Sequence, residues 1–169
     1  MKPKKTSGRF FRPQKLQGDF LGQKIFLGAD HAGYDLKEEV KRFLQKEGYD
    51  VEDKGAYKND HDDDYPDFIV PVAKAVAKNK NSKGIVFGAS GQGEAIAANK
   101  VKGIRAALYY GSNIDIVKLS RTHNDANILS LGARFLAKKD AIEAVKLWLN
   151  TGFSSEKRHA RRIKKLDKF

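Results

Sequence analysis

Short apolar runs alternate along this chain with stretches in which apolar residues recur every three or four positions. The runs Lys24–Gly28, Tyr49–Glu52, Gly84–Phe87, Arg105–Tyr109 and Ile128–Leu131 predict five short strands. Between them, Gly33–Glu47 sets Leu36, Val40, Phe43 and Leu44 on one helical face and stops at Gly48, the residue type favoured just past a helix end. Asp67–Ala77 keeps the same spacing through Phe68, Val72 and Val76. Gly93–Lys100, Ser112–Arg121 and Asp140–Asn150, the last with Ile142, Val145 and Leu149 aligned, complete the interleaved set. This rhythm predicts an α/β fold, a five-stranded parallel sheet covered by helices on both faces. Ser154–Leu166 also has helical spacing but is strongly basic with little apolar surface, so it reads as a helix laid over a neighbour such as a second subunit.

Two segments escape the rhythm. Residues 1–22 mix Lys, Arg, Gly, Pro and aromatics without a period and read as a flexible basic extension, with 23–169 as one domain. Asp53–Pro66 is polar and acidic, and its run Asp62-Asp63-Asp64 reads as a solvated loop, because three adjacent carboxylates do not easily converge on a metal. Charge sharpens the division. Of the formal +12, residues 1–23 and 156–169 carry +5 each, which leaves about +2 on everything between. Basic ends of this kind attract nucleic acid or anionic surfaces. Neither end carries an aromatic base-stacking module, so nucleic acid is not expected as the main partner, and solubility is the plainer reading. No run is long or apolar enough to span a bilayer, and no secretory leader is visible. The chain has no Cys, which removes thiol nucleophiles and thiolate metal sites and fits a reducing compartment, so a cytoplasmic location is expected.

The chemistry concentrates at Gly88-Ala89-Ser90-Gly91-Gln92-Gly93-Glu94. A strand, a glycine-rich turn and a helix start aim several N–H groups at one anionic oxygen. A nucleotide P-loop needs Lys and a hydroxyl residue after its second glycine, and Glu94-Ala95 stand there instead. The dinucleotide fingerprint fails too, because its third glycine position is Ile96. A carboxylate at the mouth of an anion trap suits a base that removes a proton while the amides of Ala89, Ser90, Gly91, Gln92 and Gly93 hold the resulting oxyanion. Ligands in parallel sheets bind beyond the strands' carboxyl ends. Chain order is read as bringing Asp30-His31, Gly88–Glu94 and the His123-Asn124 region to one rim.

Seven ordered segments together resemble ribose-5-phosphate isomerase of the B type, in the family that also holds isomerases of galactose and allose phosphates. They are Gly28–Gly33, Asp64-Tyr65-Pro66, Gly88–Lys100, Gly103–Ala107, His123–Asn127, Leu131–Arg134 and Arg158–Arg162, spread over residues 24–165. The resemblance implies a Rossmann-like three-layer sandwich, a homodimer or homotetramer with active sites shared between subunits, a phosphorylated aldose or ketose as substrate, and neither cofactor nor metal. Some members use a Cys as base at the position that is Gly88 here, and others a Glu that Glu94 matches. The resemblance further implies His123 as the acid that opens the sugar ring. It implies Asp30, His31 and Asn124 as substrate contacts and Arg134, Arg158 and Arg162 as phosphate ligands. Arg158 and Arg162, four apart, share one side of a helix, and Arg161 points elsewhere. Two alternatives stand beside the pentose isomerase: a phosphosugar-binding module without catalysis, and an isomerase of a six-carbon aldose 6-phosphate.

Overall fold

The computed structural model describes residues 23–169, and the expected N-terminal extension, residues 1–22, lies outside them. Five strands form the sheet: β1 (Lys24–Ala29), β2 (Asp50–Asp53), β3 (Lys83–Gly88), β4 (Ala106–Tyr109) and β5 (Ile128–Gly132). Six helices follow or join them: α1 (Tyr34–Lys46), α2 (Pro66–Lys78), α3 (Gln92–Asn99), α4 (Asp115–Thr122), α5 (Lys138–Leu149) and α6 (Lys157–Leu166). The sheet order is β2-β1-β3-β5-β4, with every pair parallel. The expected α/β, Rossmann-like architecture is therefore present. Among the described residues, no helix is long and apolar enough to cross a membrane.

Alternation along the strands sorts two cores. Ile25, Leu27, Ile85, Phe87, Leu129 and Leu131 face α1, α4 and α5, where Leu36, Val40, Leu44, Val117, Val145 and Trp148 complete the packing. Phe26, Val86 and Ile128 face the other way, onto Ile69, Val72 and Val76 of α2 and Ala97 and Ala98 of α3. A strand's period of two and a helix's period of 3.6 thus give three layers. The α6 helix starts three residues later than its spacing predicts. Ser155 takes a positive φ of 57° and Glu156 is extended, which holds the preceding residues out of the helix.

One polar group is buried on the first core's border. Lys37 is fully inaccessible between Leu36 and Val40. Its ammonium donates to Asp53 Oδ2 at 2.6 Å and to the Ala56 carbonyl at 2.7 Å. Burial acts to raise the Asp53 pKa, but hydrogen bonds from Lys37 and Lys41 outweigh it and hold the carboxyl below its ordinary value. These bonds tie the chain beyond β2 to α1, and Ala56 N–H to Ala29 O (2.7 Å) ties it to the end of β1. The acidic loop is thereby seated over the Asp30-His31 turn. Lys37→Met should lower unfolding free energy by roughly 3 kcal/mol, at the low end for breaking a buried pair because Lys41 stays on Asp53. Lys37→Met with Asp53→Asn should recover most of that loss in urea titrations.

Candidate active site

Glu94 sits in the first turn of α3, and its residue is only 4 % exposed. The turn that places it needs glycine at two positions. Gly91 has φ +77°, and a β-carbon there would press on Leu108 Cδ1 at 2.7 Å. At Gly88 a β-carbon would overlap the Glu94 carboxyl itself, both Oε1 and Cδ. The carboxyl therefore lies directly over the last residue of β3, in space that glycine leaves open and from which a β-carbon would displace it. The turn's carbonyls are taken: Gly88 O accepts from Ala133 N–H (2.8 Å), Ala89 O from Arg134 N–H (3.0 Å) and Gly91 O from Ser130 Oγ (2.6 Å). Ser90 Oγ accepts from Gln92 N–H at 3.3 Å. Burial pushes the Glu94 pKa above its ordinary 4.5 and the charge of Asp30 adds to the rise, while a backbone N–H bond works against them. A carboxyl raised in this way is suited to taking and returning a proton near neutrality.

The neighbouring strand end brings Asp30 and His31 to the same edge, since Ala29 pairs with Phe87. Asp30 is buried and accepts from Gly33 N–H at 3.0 Å, which closes the turn leading into α1. His31 reaches across to the acidic loop. Its Nδ1 lies 2.7 Å from Asp63 Oδ1, and its own N–H donates to that oxygen at 3.1 Å. The loop expected to be solvated thus folds one carboxylate inward, for the Asp63 side chain is only 8 % exposed, whereas Asp62 and Asp64 remain on the surface. Asp30, His31 and Asp63 each bring a donor atom within 4.8 Å of the others. His31 Nδ1 and Asp63 Oδ1 are already bonded to each other, so the set reads as an ion pair. Arg134 follows β5 on this same edge and is exposed.

His123 and Asn124 do not join them. The single-rim expectation is corrected here for a topological reason: these residues follow helix α4, not a strand, and a helix returning beside a parallel strand delivers its end to the opposite edge. With strands of four to six residues, the two edges stand roughly 15–20 Å apart. His123 is the C-cap of α4, and its ring stacks on His159 of α6, with centroids 4.2 Å apart and planes 14° off parallel. His159 is buried, and its Nε2 has no hydrogen-bond partner among the described residues, the Glu156 carboxylate standing 3.8 Å away. Burial lowers the His159 pKa, and the charges of His123, Arg158 and Arg162 lower it further. Arg158 and Arg162 therefore lie on the His159 side of α6, exposed, with Arg158 Nε donating to Glu156 at 2.9 Å. Asn124 lines a cavity of about 470 Å³ at this edge with Asn99, Arg105, Ser120 and Phe169. The sequence reading gave His159 and Asp63 no role. His159 was visible inside the Arg158–Arg162 segment, whereas Asp63 had no signal beyond an acidic neighbourhood.

One described chain thus carries two half-sites. Glu94, the turn residues Ala89–Gly93, Asp30, His31 and Arg134 stand at one edge, and His123, Asn124, Arg158 and Arg162 stand at the other. The family model described as "Ribose/Galactose Isomerase" matches residues 25–166. Ribose-5-phosphate isomerase B of Mycobacterium leprae is 40% identical over 148 residues, covering 88% of this chain and 90% of that protein. That of Mycobacterium tuberculosis is 42% identical over 142 residues, 84% of this chain and 86% of the relative. Among solved structures, Clostridium thermocellum ribose-5-phosphate isomerase B is similar at TM-score 0.82 and 46% identity, over 86% of this chain and 96% of that one. The Mycoplasma genitalium enzyme with bound ribulose-5-phosphate is similar at TM-score 0.83 and 38% identity, over 88% and 96% of the two chains.

Because the Glu94 pKa is raised, the folded state holds that proton more tightly than the unfolded state, and stability falls as pH rises from below 4.5 through the raised value. Glu94→Gln should therefore melt higher than wild type at neutral pH, with the gain vanishing below about pH 4, as melting curves across pH will read.

Proposed function

The chain belongs to the ribose/galactose isomerase family and is a sugar-phosphate isomerase, and from that premise we propose that it interconverts ribose 5-phosphate and ribulose 5-phosphate with Glu94 as the base. The observation that carries this reading is the Glu94 carboxyl, buried on Gly88 at the carboxyl end of β3 with its pKa raised. With the open-chain aldose bound, the Glu94 carboxylate takes the proton from C2. The C2–H electron pair forms the C1–C2 double bond, and the C1 carbonyl pair moves onto O1 as an enediolate. The turn amides of Ala89, Ser90, Gly91 and Gly93 are the candidate donors for that oxygen, Gln92 N–H being turned to Ser90 Oγ, and loss of one such donor costs about 2.7–4 kcal/mol of barrier in comparable sites. Glu94 returns the proton to C1, and the O2 hydroxyl proton passes to O1, leaving the C2 ketone. Nothing is oxidised overall, so no cofactor is called for.

The other half-site supplies ring opening and phosphate binding. His123 protonates the ring oxygen, Asn124 binds hydroxyls, and Arg158 and Arg162 offer guanidinium forks to phosphate oxygens, with Arg134 on the Glu94 side. Since His123 and Glu94 stand at opposite edges of one chain, the proposal requires a second copy, a homodimer or homotetramer, whose His123 edge meets this chain's Glu94 edge. Stacking on His159 holds the His123 ring in one orientation for that encounter.

Glu94→Gln should lower kcat on ribose 5-phosphate by about 10²–10⁴-fold with KM near wild type. Near-normal turnover would overturn the assignment of the base. The shared site has its own test. Co-expressed Glu94→Gln and His123→Ala subunits should regain about a quarter of wild-type activity, because a mixed dimer of two-fold symmetry has one site with both groups intact. No recovery from isolated mixed dimers would place both groups in one subunit's site.

A further inference from the structure

Asp63 and His31 are 32 residues apart and meet only because the chain past β2 is bound back onto β1 and α1. The contact is tight and largely dry: the side chains are 8 % and 23 % exposed. Asp63 Oδ1 receives both the His31 ring nitrogen and the His31 N–H, and its Oδ2 is buried without a hydrogen-bond partner among the described residues. A carboxylate stripped of water with one oxygen unpaired is costly unless a positive charge faces it. The groups around His31 are Asp30 on its own turn, Asp63 and the His61 ring (5.1 Å between centroids) on the acidic loop, and the Arg134 guanidinium beyond β5. The hydrogen bond that Asp63 accepts from the ring raises the His31 pKa above its ordinary 6.5. Burial opposes that rise, Asp30 adds to it, and Arg134 subtracts.

We propose that Asp63 is a positioning residue: it holds the His31 imidazolium by Nδ1, so that the Nε2–H of that charged ring is the group offered to the anionic end of the substrate beside Arg134. The proposal rests on the phosphosugar reading of this edge and deepens it. Asp63 touches no reacting atom. It sets the ring's orientation, as a carboxylate does for an imidazole in hydrolase and metal sites, and it faces the imidazolium with a negative charge, the form in which Nε2 also carries a proton to donate. A purely structural alternative has Asp63 capping the turn through the His31 N–H alone. The two differ in pH dependence, since only a ring bond is coupled to the imidazole's proton.

The test uses Asp63→Asn in the full chain, with the His31 ring assigned by comparison with His31→Gln. In the variant, the NMR titration midpoint of His31 should fall toward its ordinary 6.5. Just above pH 6.5, where the wild-type imidazole still holds its proton and the variant's loses it, KM for ribose 5-phosphate should rise about threefold with kcat within about twofold, and the KM difference should close near pH 5.5, where the imidazole is protonated in either protein. An unmoved titration, or a KM defect equal at both pH values, overturns the role of Asp63. If Asp63→Asn fails to fold, the wild-type titration decides alone, because a midpoint at or below 6.5 would mean that Asp63 does not hold the charge. Wild-type protein with no turnover on ribose 5-phosphate would sink the phosphosugar reading, whereas normal turnover with an unmoved His31 titration sinks the Asp63 proposal only.

Discussion

Five strands running in one direction send every strand-to-helix turn to one edge of the sheet and every helix-to-strand turn to the other. That constraint places the chemistry. Pairing of β1 with β3 and of β3 with β5 puts the ends Ala29, Gly88 and Gly132 side by side, so the turns bearing Asp30, Glu94 and Arg134 become neighbours although they are far apart in sequence. The same rule carries His123 away from them. On the proposed mechanism a ligand needing both groups calls for two chains, and the basic α6, with Arg158 and Arg162 exposed and His159 turned in against His123, lies at the second edge.

The electrostatics of the two edges differ in kind. At the Glu94 edge a carboxyl is buried among glycines, and the histidine beside it is held by a carboxylate, so the acid is kept weak and the imidazole basic. At the far edge, burial and guanidinium charge make His159 less basic, so it serves as a neutral plate under its partner ring. Each shift has a local cause that follows from backbone placement: a turn without β-carbons, a loop clamped by Lys37, and a helix end stacked on a helix start.

Much of this was legible in the chain. The strand and helix periods located all eleven elements, because apolar positions recur with the period of whichever element buries them. The glycine turn exposed its purpose through Glu94, a residue that plain phosphate binding would avoid. What failed was geometric. His123-Asn124 was grouped with the other turns by its nearness to a strand, although it precedes β5 where they follow theirs. Lys37 lay unnoticed within the apolar face of α1, because a buried lysine shows no pattern until its partner Asp53 is brought near. Asp63 was hidden for a related reason. Three neighbouring carboxylates cannot all turn inward, but one of them can, and which one is fixed by loop conformation rather than composition.

The overlap between position 88 and the Glu94 side chain bears on how such enzymes diverge. The volume above the last residue of β3 is held here by the acid reaching over from the following helix, and a side chain rooted on that strand would push it out of its present place. A thiol installed at 88 would displace the Glu94 carboxyl from this position, so the Cys base and the Glu base that the family resemblance implies compete for one place. On the proposed reading, exchange of one base for the other therefore changes the surroundings of both positions, 88 and 94, and neither can be altered without moving the other.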